Sequence, residues 1–108
     1  MADAILVMVT CSSGPEAEKM AKQLLEEKLV ACVNIAGRIR SLFHWKGALA
    51  RESESLLLMK TRRELFDRLC ARVKELHSYE VPEVVACPIV VANEEYLDWV
   101  RESTAGEQ

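Results

Sequence analysis

The sequence predicts an α+β domain built from four strands and three helices, and three observations carry that prediction. Two stretches, 17–25 and 65–76, repeat apolar residues at helical spacing. Four others, around 5–9, 29–45, 56–59 and 83–91, are unbroken or alternating apolar runs of the strand type. With a last helical pattern after Asn93, the order is strand, helix, strand, strand, helix, strand, helix. At 108 residues the chain has room for one domain, spanning 1–108.

Ile5-Leu6-Val7-Met8-Val9 reads as a central strand buried on both faces. Ser13-Gly14-Pro15-Glu16 has the form of a capping box with proline in the first turn. The helix it opens should run from about Pro15 to Lys28, with Ala17, Met20, Ala21, Leu24 and Leu25 along its apolar stripe. A second strand begins at Leu29 and continues to Trp45, bent at Gly37. Past that bend Ile39, Ser41, Phe43 and Trp45 alternate with Arg38, Arg40, Leu42 and His44. Lys46-Gly47-Ala48 turns the chain back through Glu52 and Glu54 into the third strand, Leu56–Met59. Thr61-Arg62-Arg63-Glu64 has the form of a second capping box, ahead of the stripe Leu65, Phe66, Leu69, Val73 and Leu76. The fourth strand covers about Glu83 to Val91, Asn93 caps the last helix, and 103–108 should fray. This order is the split βαβ pattern of ferredoxin-like domains, which fixes no activity by itself.

The second and third strands form an unusually long hairpin. A strand from Leu29 to Trp45 would reach roughly 50 Å at ~3.3 Å per residue, against a radius of gyration near ~13 Å for a domain of this size. Its outer half must either curl back or lean on another subunit, since Phe43 and Trp45 near an overhanging tip would otherwise invite uncontrolled pairing. The expected state is a homo-oligomer.

Composition excludes several function classes. Half of the residues are hydrophobic, 29% are charged and the net charge is -3, without a Lys/Arg block, so nucleic acid is not an expected partner. No apolar run is long enough to span a membrane. The first residues lack the features of a signal peptide, and the expected compartment is the cytoplasm. The four cysteines, Cys11, Cys32, Cys70 and Cys87, contain no C-x-x-C pair and should stay reduced. Cys32, Cys70 and Cys87 read as small core residues, whereas Cys11 lies at a strand end, where side chains reach a cleft.

The densest chemistry is His77-Ser78-Tyr79-Glu80-Val81-Pro82-Glu83, an imidazole, a phenol and two carboxylates in a helix-to-strand corner that Pro82 holds extended. Read from residue types alone, this corner is either a site or a solvated surface loop. His77 suits the C-terminal end of a helix as well as it suits a metal. Lys60, ending a strand beside a helix start, could meet an anion or form a surface ion pair.

Five strings together resemble one family: Ala31-Cys32-Val33-Asn34-Ile35; Ser41 to Trp45 followed by Gly47; Lys60-Thr61; His77-x-Tyr79-Glu80-x-Pro82-Glu83; and Tyr96-Leu97-x-Trp99. The match to CutA, the divalent-cation tolerance family, runs from about Ile5 to Val100. The resemblance implies a homotrimer of ferredoxin-like subunits with hairpins completing intersubunit sheets, a cytoplasmic setting, and tolerance to copper or another divalent cation. It implies copper ligands at Cys11 and His77. Leu76 stands where some relatives carry a second histidine, so Glu80, Glu83 or a neighbouring subunit must complete the site. Three readings follow: a non-enzymatic, metal-responsive trimer; a small-molecule or nucleotide sensor like the trimeric nitrogen-regulatory proteins; and a purely structural trimer. The second places a ligand in intersubunit clefts lined by Ser41, Trp45, Glu54, Lys60 and Tyr79, although no Gly-rich phosphate loop is present. Catalysis is not expected, since no orienting residue or oxyanion donor joins Cys11 and His77.

Overall fold

The structure, a computed structural model, describes residues 3–106. Strand β1 (Ala4–Cys11) lies between β3 (Ala48–Arg62) and β4 (Val84–Pro88), and β2 (Cys32–Trp45) flanks β3 on its far side. All three ladders are antiparallel and the sheet order is β2-β3-β1-β4, the ferredoxin-like arrangement expected. Helices α1 (Gly14–Glu26) and α2 (Phe66–Leu76) cover one face, and α3 (Glu94–Ser103) follows β4.

The core sits under α1 and α2. Val7, Val9, Leu57 and Met59 point into it from the two central strands, and Met20, Leu24, Leu69 and Val73 come down from the helices. Burial of each such side chain stabilises the fold by about 1.5–3 kcal/mol. The alternate residues Leu6, Met8, Leu56 and Leu58 line the opposite face and are only half-buried. Helix α3 lies on that second face, where Arg62 donates to the Thr104 hydroxyl (2.8 Å) and carbonyl (2.9 Å).

Several local expectations are corrected. Helix α1 ends at Glu26 because Lys28 turns left-handed at φ 59°, and the amides of Lys28 and Leu29 return to the carbonyls of Leu25 and Leu24. Leu29–Ala31 are therefore a buried connection and β2 starts at Cys32. No capping box forms at Thr61: this residue belongs to β3 and donates its hydroxyl to the Leu29 carbonyl (2.7 Å), while Glu64 pairs with Arg62. A 3-10 turn (Arg63–Leu65) leads into α2 instead. Strand β4 stops at Pro88, which lacks the amide a ladder needs, and Val90 and Val91 stay exposed. Asn93 caps α3 with its backbone carbonyl, not its side chain. Thr104, expected to fray, is fully buried, and residues 107–108 of that predicted tail lie outside the described range.

The long hairpin does not curl. Fourteen residues of β2 amount to about 46 Å of strand, and the molecule's longest dimension is 44 Å. A two-residue turn at Lys46 (φ 49°) and Gly47 (φ 81°) closes it with the twist that antiparallel ribbons favour. The bend expected at Gly37 is a bulge: Gly37 and Arg38 oppose the single residue Ser55, between the pairs Ala36–Leu56 and Ile39–Glu54. The left-handed residue there is Arg38 (φ 60°). Leu42, Trp45 and Leu49 near the tip are each about 60% exposed, an apolar surface that the protomer itself does not cover.

Candidate functional site at the end of the first strand

Where β1 ends, four of the residues singled out from sequence converge: Cys11, Glu54, His77 and Tyr79. Beside His77, 3.8 Å from its Nδ1, lies a carboxylate the sequence reading passed over, that of Glu16. In the expected capping box this carboxylate would return to the Ser13 amide. It shifts by one residue instead, and its Oε1 accepts from the Ser12 amide (3.1 Å) and hydroxyl (2.7 Å). Its Oε2 accepts the Ser78 amide (2.8 Å), which ties the start of α1 to the end of α2. The Ser13 hydroxyl still accepts the Glu16 amide (3.2 Å), so the helix keeps its cap. The sequence signal for Glu16 was present, but a capping box is normally a local device and does not point to a partner 62 residues away.

His77 ends α2 and its side chain is wholly buried. Its Nδ1 accepts the Tyr79 amide (3.0 Å), so the neutral ring carries its proton on Nε2 and donates it to the Thr10 carbonyl (2.7 Å). Both nitrogens are thereby engaged within the chain. Tyr79 packs its ring against His77, with centroids 4.6 Å apart, and its hydroxyl donates to Glu54 Oε2 (2.7 Å). Burial and then this bond to Glu54 hold the phenol's pKa well above its ordinary value. Glu54 itself is only 7% exposed, an acidic side chain buried against a neutral hydroxyl donor.

Cys11 corrects an expectation directly. Its side chain faces the helix-covered layer rather than a cleft, and the residue is fully buried in the core. Burial pushes its thiol up to about 12, with Glu16 and Glu54 adding repulsion against a thiolate. Glu80 and Glu83 are exposed at the corner. Among the described residues no three His, Cys, Asp or Glu side chains are grouped to hold a metal ion.

The remaining candidates lie elsewhere. Lys60 pairs with Leu6, toward the other end of the sheet from the Cys11–Ser55 pair, and donates to the Asn34 side chain. Ser41 sits opposite Glu52 in the outer hairpin, and Trp45 stands at its tip. One protomer therefore does not assemble the cleft proposed from Ser41, Trp45, Glu54, Lys60 and Tyr79.

The corner also sets an acid response. Burial raises the Glu16 pKa, but the bonds from Ser12 and Ser78 outweigh it and hold the carboxyl below its ordinary 4.5. A group depressed in the folded state contributes stability above its unfolded pKa and loses it as pH falls through the folded one. Stability to urea should therefore decline below about pH 4.5, and Glu16→Gln should flatten that decline while lowering stability at neutral pH. An unchanged acid limb in the variant would show that the tether lies outside the acid transition.

A family model described as CutA1 divalent ion tolerance protein matches residues 5–103. A divalent-cation tolerance protein CutA of Thermus thermophilus is 48% identical over 99 residues, covering 92% of this chain and 96% of the relative. A chloroplastic CutA protein of Arabidopsis thaliana is 42% identical over 100 residues, and there the chain spans about half of the relative, 55%. The solved structure of a periplasmic divalent cation tolerance protein CutA from Archaeoglobus fulgidus superposes with a TM-score of 0.92 at 41% identity, covering 94% of this chain and 99% of that one. Relatives thus carry chloroplastic and periplasmic names, and no described helix of this chain is long and apolar enough to cross a membrane.

Proposed function

The chain belongs to the CutA1 divalent ion tolerance family, and on that premise we propose that it acts as a homotrimer, without a catalytic step, that holds a divalent cation, copper or another, on exposed carboxylates at the corner. One observation carries the choice of ligands. His77 uses both ring nitrogens inside its own chain and Cys11 keeps its proton beneath the sheet, so this pair is a structural anchor. Glu80 and Glu83 stand exposed at the same corner. Two carboxylates fill less than half of a cation's oxygen shell, and a neighbouring copy supplies the rest. The assembly is supported by the overhanging hairpin, the half-covered second face of the sheet and two unlike open edges, β2 and β4. Unlike edges suit a head-to-tail ring.

The test is a Cu(II) titration of the reduced, metal-free protein under a competing chelator, with sedimentation equilibrium alongside. Cys11→Ser should leave affinity within about twofold, and Glu80→Gln with Glu83→Gln should weaken it at least about tenfold, near 1.4 kcal/mol. Loss of binding in Cys11→Ser with full binding in the glutamine variant would reverse the assignment.

A further inference from the structure

Strand β1 ends at Cys11, opposite Ser55, so from Glu54 outward β3 keeps only β2 as a neighbour. A two-stranded ribbon by itself is marginally stable, and nothing in its own ladder fixes the angle at which it leaves the sheet. Two observations meet at that root. On β2 lies the bulge of Gly37 and Arg38, where Arg38 holds a left-handed φ of 60° that a side chain disfavours. Bulges bend and twist a strand, and a strained residue persists only where its surroundings hold it. On β3, Glu54 is the first residue of the ribbon and is buried, whereas no residue from Arg40 to Ser53 is. Its carboxylate accepts the Tyr79 hydroxyl (2.7 Å), its only hydrogen-bond donor among the described residues. Tyr79 in turn is fastened to the domain. Its amide donates to His77 Nδ1, the two rings lie 4.6 Å apart, and His77 donates to the Thr10 carbonyl on β1. A chain of contacts thus runs from β1 through the end of α2 to the ribbon, with Tyr79 as its last link. All of them are made within one chain, and none depends on a surface being open.

We propose that the root of the ribbon is a hinge and that the Tyr79–Glu54 hydrogen bond is its latch, so that the corner sets the direction of the ribbon and with it the assembly of subunits. A phenol donating to a carboxylate is a strong bond made of one donor and one acceptor, so the latch opens by breaking a single contact. Burial, then Glu54 itself and the further Glu16 and Glu52 carboxylates, keep the phenol protonated, and the donor is present throughout the physiological range. With the bond made, Glu54 is held against the domain and the ribbon stands out to give the molecule its 44 Å length. With it broken, Glu54 is a buried carboxylate without a donor, and relieving that penalty swings the root towards water. The turn takes place at the bulge, where the ladder is already interrupted between Ala36–Leu56 and Ile39–Glu54. The latch uses neither Glu80 nor Glu83 and is independent of the cation assignment; its effect on assembly rests on the homotrimer proposed above.

Amide hydrogen exchange of the intact protein, read peptide by peptide, tests the latch through Tyr79→Phe, which keeps the ring against His77 and deletes only the hydroxyl. Peptides spanning 39–45 and 48–54 should exchange at least about tenfold faster than in the parent, while those spanning 4–9 and 66–76 stay within about twofold. Glu54→Leu should behave as Tyr79→Phe does, and Glu54→Gln, whose side-chain oxygen still accepts the hydroxyl, should stay near the parent. In sedimentation equilibrium the two unlatched variants should dissociate at a concentration at least about tenfold above that of the parent and Glu54→Gln. Unchanged ribbon exchange in Tyr79→Phe overturns the proposal. So does a uniform rise across ribbon and core, because the bond would then support the fold as a whole and aim nothing. Faster ribbon exchange with unchanged dissociation overturns the step from latch to assembly. A parent that sediments as one chain overturns the homotrimer and that step with it, while the exchange pattern still decides the latch.

Discussion

Leu57→Ala is expected to destabilise the protein by about 3 kcal/mol, within the ~2–5 kcal/mol range of such truncations at rigid core positions. Leu57 is fully buried on β3, paired with Val9 on one side and Ile35 on the other. Its side chain lies in the layer where β1 and β3 meet α1 and α2. Neighbouring strands hold it from both flanks, so the cavity cannot close by a shift of one element. Urea unfolding at fixed protein concentration should show a lower midpoint with an unchanged slope. A loss below about 1 kcal/mol would mean that the core relaxes around the gap, contrary to the packing described.

Replacing residues 41–52 by Asn-Gly should give a folded monomer. No residue from Arg40 to Ser53 is buried, so the core loses nothing when the outer ribbon is removed, and Asn-Gly closes a two-residue turn of the type already present. The exposed Leu42, Trp45 and Leu49 disappear with it. Sedimentation equilibrium should report a mass close to one chain, with far-ultraviolet circular dichroism retaining both core helices. A variant that still sediments as a trimer would move the interface to the half-covered sheet face or the β4 edge.

The architecture was legible because its signals are local. The stripe of α1, the apolar runs of β1 and β3 and the Lys46-Gly47 turn each follow from spacing over a few residues, and their order leaves few topologies. Misreadings arose where a distant partner overrode a local motif. Thr61 resembles a cap, yet its hydroxyl meets Leu29 across the fold. Thr104 looks like tail, yet Arg62 holds it. The corner was legible in His77 and Tyr79 but not in Glu16, and Cys11 was misplaced because strand ends reach both clefts and cores. Which face a residue takes depends on register, and β1 pairs Cys11 with Ser55, on the face that α1 and α2 cover.

The bulge at Gly37 and Arg38 also governs how the gene for this protein can change length. One extra residue on β2 opposite Ser55 sets which side chains of the outer ribbon face which way. Deleting a single codon there would straighten the ladder and leave every outer pair from Ile39–Glu54 to Trp45–Ala48 in place, whereas losing one residue between Ile39 and Trp45 would break the register with β3. Beyond the bulge, faces are preserved only when residues are gained or lost in matched pairs across the turn. The ribbon's length is thereby quantised, and descendants of this chain can vary the tip freely in composition but only in even steps in extent.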